Sequence, residues 1–169
     1  MRNLVISIAL ASSLAAPLAF GATDPDASFY KKAAEGGLFE VDAGNQAQTK
    51  ANDQRVKDFG NMLVTDHTAA NQQLQSLAAS KGITLPTSAS VGQMAEKAKL
   101  DVLTGDTYDK SFLRGQIKAH QQTIALFQKE IGSGQDADAK AFATSTLPTL
   151  KKHLKQARAL AAPGTSGKS

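Results

Sequence analysis

The sequence predicts an all-α fold, a four-helix bundle of ferritin-like type with a short extra helix in the connection between the second and third long helices. Three features carry this. Strand signals are almost absent, since β-branched residues do not alternate with polar ones. Caps and stops punctuate the chain at helical intervals. The four longest segments between them have similar length, each about 25 residues and near 40 Å as a helix. Tight turns join the first pair and the last pair. Short turns make neighbours antiparallel, so a bundle follows, with a dimer of helical hairpins as the alternative.

The chain has 169 residues, which suggests one folded domain. Residues 1–21, MRNLVISIALASSLAAPLAFG, begin basic at Arg2, run apolar from Leu4 to Phe20 and end in small residues before Ala22. That is the pattern of a cleaved secretory signal, with the folded domain over 22–161. Asp24 and Pro25 then read as an N-cap and a first helical residue, opening a helix to about Ala51. Asn52-Asp53 is a turn, with Asp53 capping the second helix, which ends at Lys81-Gly82. ITLPTSAS connects to Ser90 and Gln93, a capping box that opens the short helix VGQMAEKAKLDVL, ended by Gly105. Asp106 or Thr107 caps the third long helix, which runs to Ile131 and stops at Gly-Ser-Gly. Asp136 caps the fourth, which reaches about Ala161. Pro148 inside it should bend it or remove one hydrogen bond. The tail 162–169 lacks apolar periodicity and reads as disordered.

Composition narrows the function classes. There is no cysteine, hence no disulfide scaffold, thiolate metal site, thiol nucleophile or lipid-bearing cysteine. The net charge is +4, but cations are interspersed with acids, which argues against nucleic acid as a partner. Beyond the signal no stretch approaches the roughly 20 apolar residues of a spanning helix. A periplasmic or secreted protein is expected, with a component of the cell envelope as its candidate partner. Tyr30 and Tyr108 read as packing residues, and Met62 and Met94 as core gap fillers.

The helical wheel places polar residues where the core should be. In the second helix His67 lies in the stripe Val56, Phe59, Leu63, Ala70, Leu74 and Leu77, with Asp66 at its edge. His120 is central in the stripe Leu113, Ile117, Ile124, Phe127 and Ile131. Glu40 sits among Phe29, Ala33, Gly37, Gly44, Ala47 and Ala51. His153 borders the stripe Ala143, Leu147, Leu150, Leu154 and Ala157. In an up-down-up-down bundle, 1.5 Å per residue puts Glu40, His67 and His120 about 20 Å from one end. His153 comes out only about 12 Å from it.

Imidazole and carboxylate on inward faces suit one transition-metal ion, zinc, iron, manganese or copper. Glu40, His67 and His120 are the candidate ligands, with His153 and Asp66 as further members. Asp66 is a candidate either for ligation or for orienting an imidazole. The Glu-x-x-His pair of di-iron bundles is absent: Glu35, Glu40, Glu96 and Glu130 are followed at +3 by Leu38, Ala43, Lys99 and Ser133. A buried polar network without metal is the competing reading, and a proton switch a third. No Gly-x-Ser-x-Gly elbow points to hydrolysis. If the protein is an enzyme, a metal-dependent oxidoreductase is the form these residues suggest.

FYKKAAEGGLFEV (29–41), VKDFGNMLVTDH (56–67), FLRGQIKAHQ (112–121) and LPTLKKHL (147–154), in this order, resemble the bacterial family called domain of unknown function 4142. The resemblance spans about residues 27–160. Glu40, Asp66, His67, His120, Pro148 and His153 match its pattern. It implies a ferritin-like four-helix bundle in exported proteins of the envelope, and it implies no established activity. Metal handling or an envelope stress response is the expected role. The alternative is a non-catalytic interaction module of the envelope whose His/Glu network holds no metal.

Overall fold

The computed structural model describes residues 26–162. Those residues form a helical bundle of five α-helices with no strand among them: α1 Ala27–Lys50, α2 Gln54–Ser80, α3 Val91–Asp101, α4 Gly105–Ser133 and α5 Ala137–Ala161. The expected signal segment, the Asp24-Pro25 start and the tail 163–169 lie outside the described residues.

Most of the caps act as the sequence predicts. Asp53 accepts from the Arg55 N–H at 2.9 Å, Asp136 accepts from the Asp138 N–H at 2.9 Å, and Ser90 and Gln93 form the reciprocal capping box. α2 ends on Gly82, whose φ of +67° costs a glycine little, and the Ile83 N–H reaches back to the Ala78 carbonyl at 2.9 Å. Two expectations fail. Gly105 does not end the short helix, which stops at Asp101; it is the first residue of α4, with φ +57°. Thr104, not Asp106 or Thr107, occupies the N-cap, and it makes no side-chain cap bond. Asp106 instead accepts from the Asn52 side chain at 3.0 Å. α5 continues through Pro148, which only lacks the N–H that would bond the Thr144 carbonyl.

α1 packs on α2 and α4, and α5 packs on the same two, while α3 lies against α1 and α4. Aspartates tie the ends. Asp26 Oδ2 accepts from the backbone N–H groups of Gln135 and Asp136, both at 2.6 Å. Lys81 pairs with Asp136 at 2.9 Å, so the start of α1, the end of α2 and the α4–α5 turn share one end. At the other end Asp109 accepts from the N–H groups of Asn52 and Asp53, at 3.0 and 2.8 Å. The α1–α2 turn therefore sits at the start of α4.

These ties fix the topology, and it is not up-down-up-down. α2 and α4 run in the same direction, and α1 and α5 run together in the other. The connection 81–104 must therefore travel the length of the bundle. It can: α4 is about 44 Å long, and some ten extended residues plus the eleven of α3 reach about 50 Å. Two apolar clusters fill the ends. Phe29, Tyr30, Leu74, Phe127 and Phe142 pack one, and Phe59, Leu63, Tyr108, Phe112 and Ala157 the other. Both tyrosines are packing residues, as expected. Met62 packs against the second cluster, whereas Met94 is 46% exposed and fills no core gap.

Candidate metal centre

Between the two apolar clusters lies a polar layer. The fold direction explains who belongs to it. Measured along the helices from the end that holds Asp26, Glu40, His67 and His120 stand at about 20 Å, and His153 at about 24 Å. The sequence-based depth for His153 assumed that the fourth long helix finishes at the end where the first begins; with the crossover it starts there, which removes most of that mismatch. His153 is also not a border residue. It is completely buried, and His120 is 1% exposed.

The three imidazoles converge. His67 and His153 ring centres are 5.3 Å apart, His120 and His153 5.3 Å, and His67 and His120 5.8 Å. One ligand nitrogen from each lies within 4.8 Å of the others, the only such group of three potential ligand residues among those described. Glu40 and Asp66 are not members of that group. Asp66 Oδ2 lies 2.8 Å from His153 Nε2, and Glu40 Oε1 lies 3.8 Å from His120 Nδ1. Both carboxylates thus stand behind an imidazole.

Outer partners assign the tautomers. The Gln116 carbonyl, one turn back on α4, can only accept, so His120 Nδ1 donates to it at 3.0 Å. The Asp66 carboxylate accepts from His153 Nε2–H. In neutral rings this leaves lone pairs on His120 Nε2 and His153 Nδ1, and these two atoms face each other at 3.3 Å. His67 Nε2 is buried with no hydrogen-bond partner. Two acceptor nitrogens therefore face each other with no donor between them, beside an unpartnered third ring nitrogen, an arrangement that costs free energy unless a cation or a proton enters. Gln116, 1% exposed and hydrogen-bonded to Glu40, escaped the sequence reading because glutamine on a core stripe gives no ligand signal. Its place four residues before His120 was the available clue.

Burial governs the protonation states. It pushes the Glu40 carboxyl up to about 8, against the lowering effect of the Gln116 hydrogen bond. It brings His120 down to about 4, helped by His153 and opposed by the Gln116 carbonyl. His67 lies well below the ordinary histidine value through burial and then through repulsion from the other two rings. His153 is lowered by burial while Asp66 pulls it back up. The folded chain without metal thus favours neutral imidazoles and a neutral Glu40.

This gives a pH signature for the metal-free protein. Between 6.5 and about 4 the unfolded chain binds protons at histidine that the folded chain refuses, so stability falls with acid. Glu40 opposes this between 4.5 and 6.5, but three rings outweigh one carboxyl. Between 6.5 and about 8 the folded chain keeps the Glu40 proton that the unfolded chain has lost, so stability falls with base, by at most about 1.4 kcal/mol per pH unit. Urea midpoints of the chelated protein should therefore peak near pH 6.5, and Glu40→Gln should remove the alkaline limb. An unchanged limb in that variant would contradict a neutral Glu40.

A family model described as a domain of unknown function, DUF4142, matches residues 11–160. No curated protein and no solved structure matches the chain. No helix among the described residues is long and apolar enough to cross a membrane.

Proposed function

The chain belongs to the DUF4142 family, and from that premise we propose that it is an exported ferritin-like four-helix bundle that holds one transition-metal ion through His67, His120 and His153. The observation that carries this reading is the pair of facing lone pairs on His120 Nε2 and His153 Nδ1 at 3.3 Å. Two nitrogens bound at 2.0–2.1 Å to a tetrahedral ion stand about 3.3–3.4 Å apart. The spacing is that of two ligands already in place. The farthest pair in the group, within 4.8 Å, closes to the same spacing by a movement of about 1.5 Å. His67 Nε2 is buried without a hydrogen-bond partner, so it is a ligand atom with no competing bond to break.

Asp66 behind His153 and the Gln116 carbonyl behind His120 act as the outer partners that fix ring orientation and raise ligand basicity. Glu40 serves the outer layer on the His120 side. Three imidazoles suit zinc or copper(II), with iron and manganese as weaker fits. The role that follows is metal handling or an envelope stress response, in a periplasmic or secreted setting. The second reading is a non-catalytic envelope module in which a shared proton, not a metal, separates the two lone pairs. The Asp66–His153 bond favours it as much as the first, because a carboxylate stabilises an imidazolium equally well.

Metal uptake separates them. The mature protein, stripped with chelator and dialysed against zinc or copper(II), should retain one ion per chain. At a free metal concentration a hundredfold over the dissociation constant the fold should gain about 2.7 kcal/mol, read as a higher melting temperature. No retained ion with any of the four metals sinks the metal reading and leaves the proton network.

A further inference from the structure

Three imidazoles leave a metal with an open position, and the structure shows a void beside it. A cavity of about 20 Å³ is bounded by Glu40, His67 and His120 together with Gly36, Gly37, Ala70, Asn71 and Thr123. That is room for a single water-sized molecule. Outside it lies a cleft of about 980 Å³ between α1 and α4 under α3. Gly36, Glu40 and Thr123 border both the inner cavity and the outer cleft. They form the partition between them. At Gly36 that partition has no side chain, and an added Cβ would reach Thr123 Oγ1 only at 3.9 Å. The cleft carries Lys32, Lys99, Arg114 and Lys118 against Glu35 and Glu96. Lys99 is engaged with Glu96 at 2.9 Å, so the balance of its rim is cationic.

We infer that the α1–α4 cleft is the entry route for a small anion, which passes between Gly36 and Thr123 and takes the open position beside His67 and His120. This rests on the metal reading. The ligand class follows from size and charge: the void admits a molecule the width of water or of a linear triatomic ion, and the cationic rim raises the local concentration of anions over neutral solutes. His67, 6% exposed, borders this void together with His120, and its Nε2 is buried without a hydrogen-bond partner. α3 buries none of its residues, so it covers the cleft without sealing it.

Azide is the probe. The copper(II)-loaded protein, its metal content measured first, is titrated with sodium azide and followed by the azide-to-copper charge-transfer band. One azide should bind per copper and saturate, while imidazole, too wide for the void, should not compete. Gly36→Leu, which places a side chain at the partition, should slow azide association at least tenfold and leave copper affinity unchanged. Thr123→Leu, from the opposite wall, should do the same and guards against a folding defect in the first variant. One bound copper without a saturable azide band overturns the inference and spares the metal site. Unaltered association rates in both folded variants overturn the route. Absence of copper uptake overturns the metal reading and this inference together.

Discussion

A chain carrying both His67→Ala and His120→Ala should retain no metal under conditions that load one ion on the wild type, and its melting temperature should not respond to added zinc or copper. Two of the three inward nitrogens are gone, and the single remaining imidazole on His153 cannot hold an ion against competing water. The contrast is Asp66→Ala. Asp66 touches the site only through His153 Nε2, at 2.8 Å, so its removal should keep the stoichiometry and weaken affinity about 10–100-fold, the usual cost of losing an outer partner. Measured by competition with a chelator of known affinity, this order separates ligands from their supports. Equal uptake by the double variant and the wild type would place any bound metal elsewhere on the molecule.

The largest effect on folding is expected at the crossing of α1 and α2. Gly44 and Gly60 face each other there. A Cβ on Gly60 would lie 2.7 Å from the Gly44 carbonyl oxygen and 2.9 Å from the Ala47 Cβ, and a Cβ on Gly44 would lie 2.6 Å from the Gly60 carbonyl. Those neighbours are backbone or short side chains that cannot swing aside. Replacing glycine by alanine inside a helix normally gains about 1 kcal/mol of propensity. Overpacking a rigid contact costs about 1–3 kcal/mol or more, and here it must push two whole helices apart. The clash therefore wins, and Gly60→Ala should lower the urea midpoint by an amount equal to about 2 kcal/mol. Gly92→Ala, in α3, meets nothing within 4 Å and should raise stability by about 0.5–1 kcal/mol from propensity alone. If both changes had the same sign, the close approach of α1 and α2 would be wrong. The His layer begins about two turns from this crossing, at His67 on α2, so its geometry depends on that approach.

Much of this protein is legible in its sequence, and the reason is that helical information is local. Caps at Asp53, Ser90 and Asp136, the stop at Gly82 and the period of the apolar residues act within a turn or two of themselves. They set where each helix begins and which way Glu40, His67 and His120 face. A period of 3.6 residues also shows that a polar residue interrupts a core stripe, which is why the histidines stood out as a set. Gln116 did not, since its importance comes from a neighbour on the next turn and a carboxyl on another helix.

Direction is a different kind of information. Whether α4 runs with α2 or against it depends on how residues 81–104 travel, and no local pattern records that path. Asp26 and Asp109 settle it by capping turns more than 50 residues away, contacts that exist only once the helices are assembled. The consequence reaches the site. With the up-down-up-down order, His153 sits too low to join His67 and His120. With the crossover, it enters their layer, and its Nδ1 comes to face His120 Nε2. The sequence by itself determined where the helices lie and that Glu40, His67 and His120 point inward. Tertiary structure alone decided which of them meet, because depth along a bundle is set by chain direction, and chain direction by long-range contacts that periodicity cannot encode.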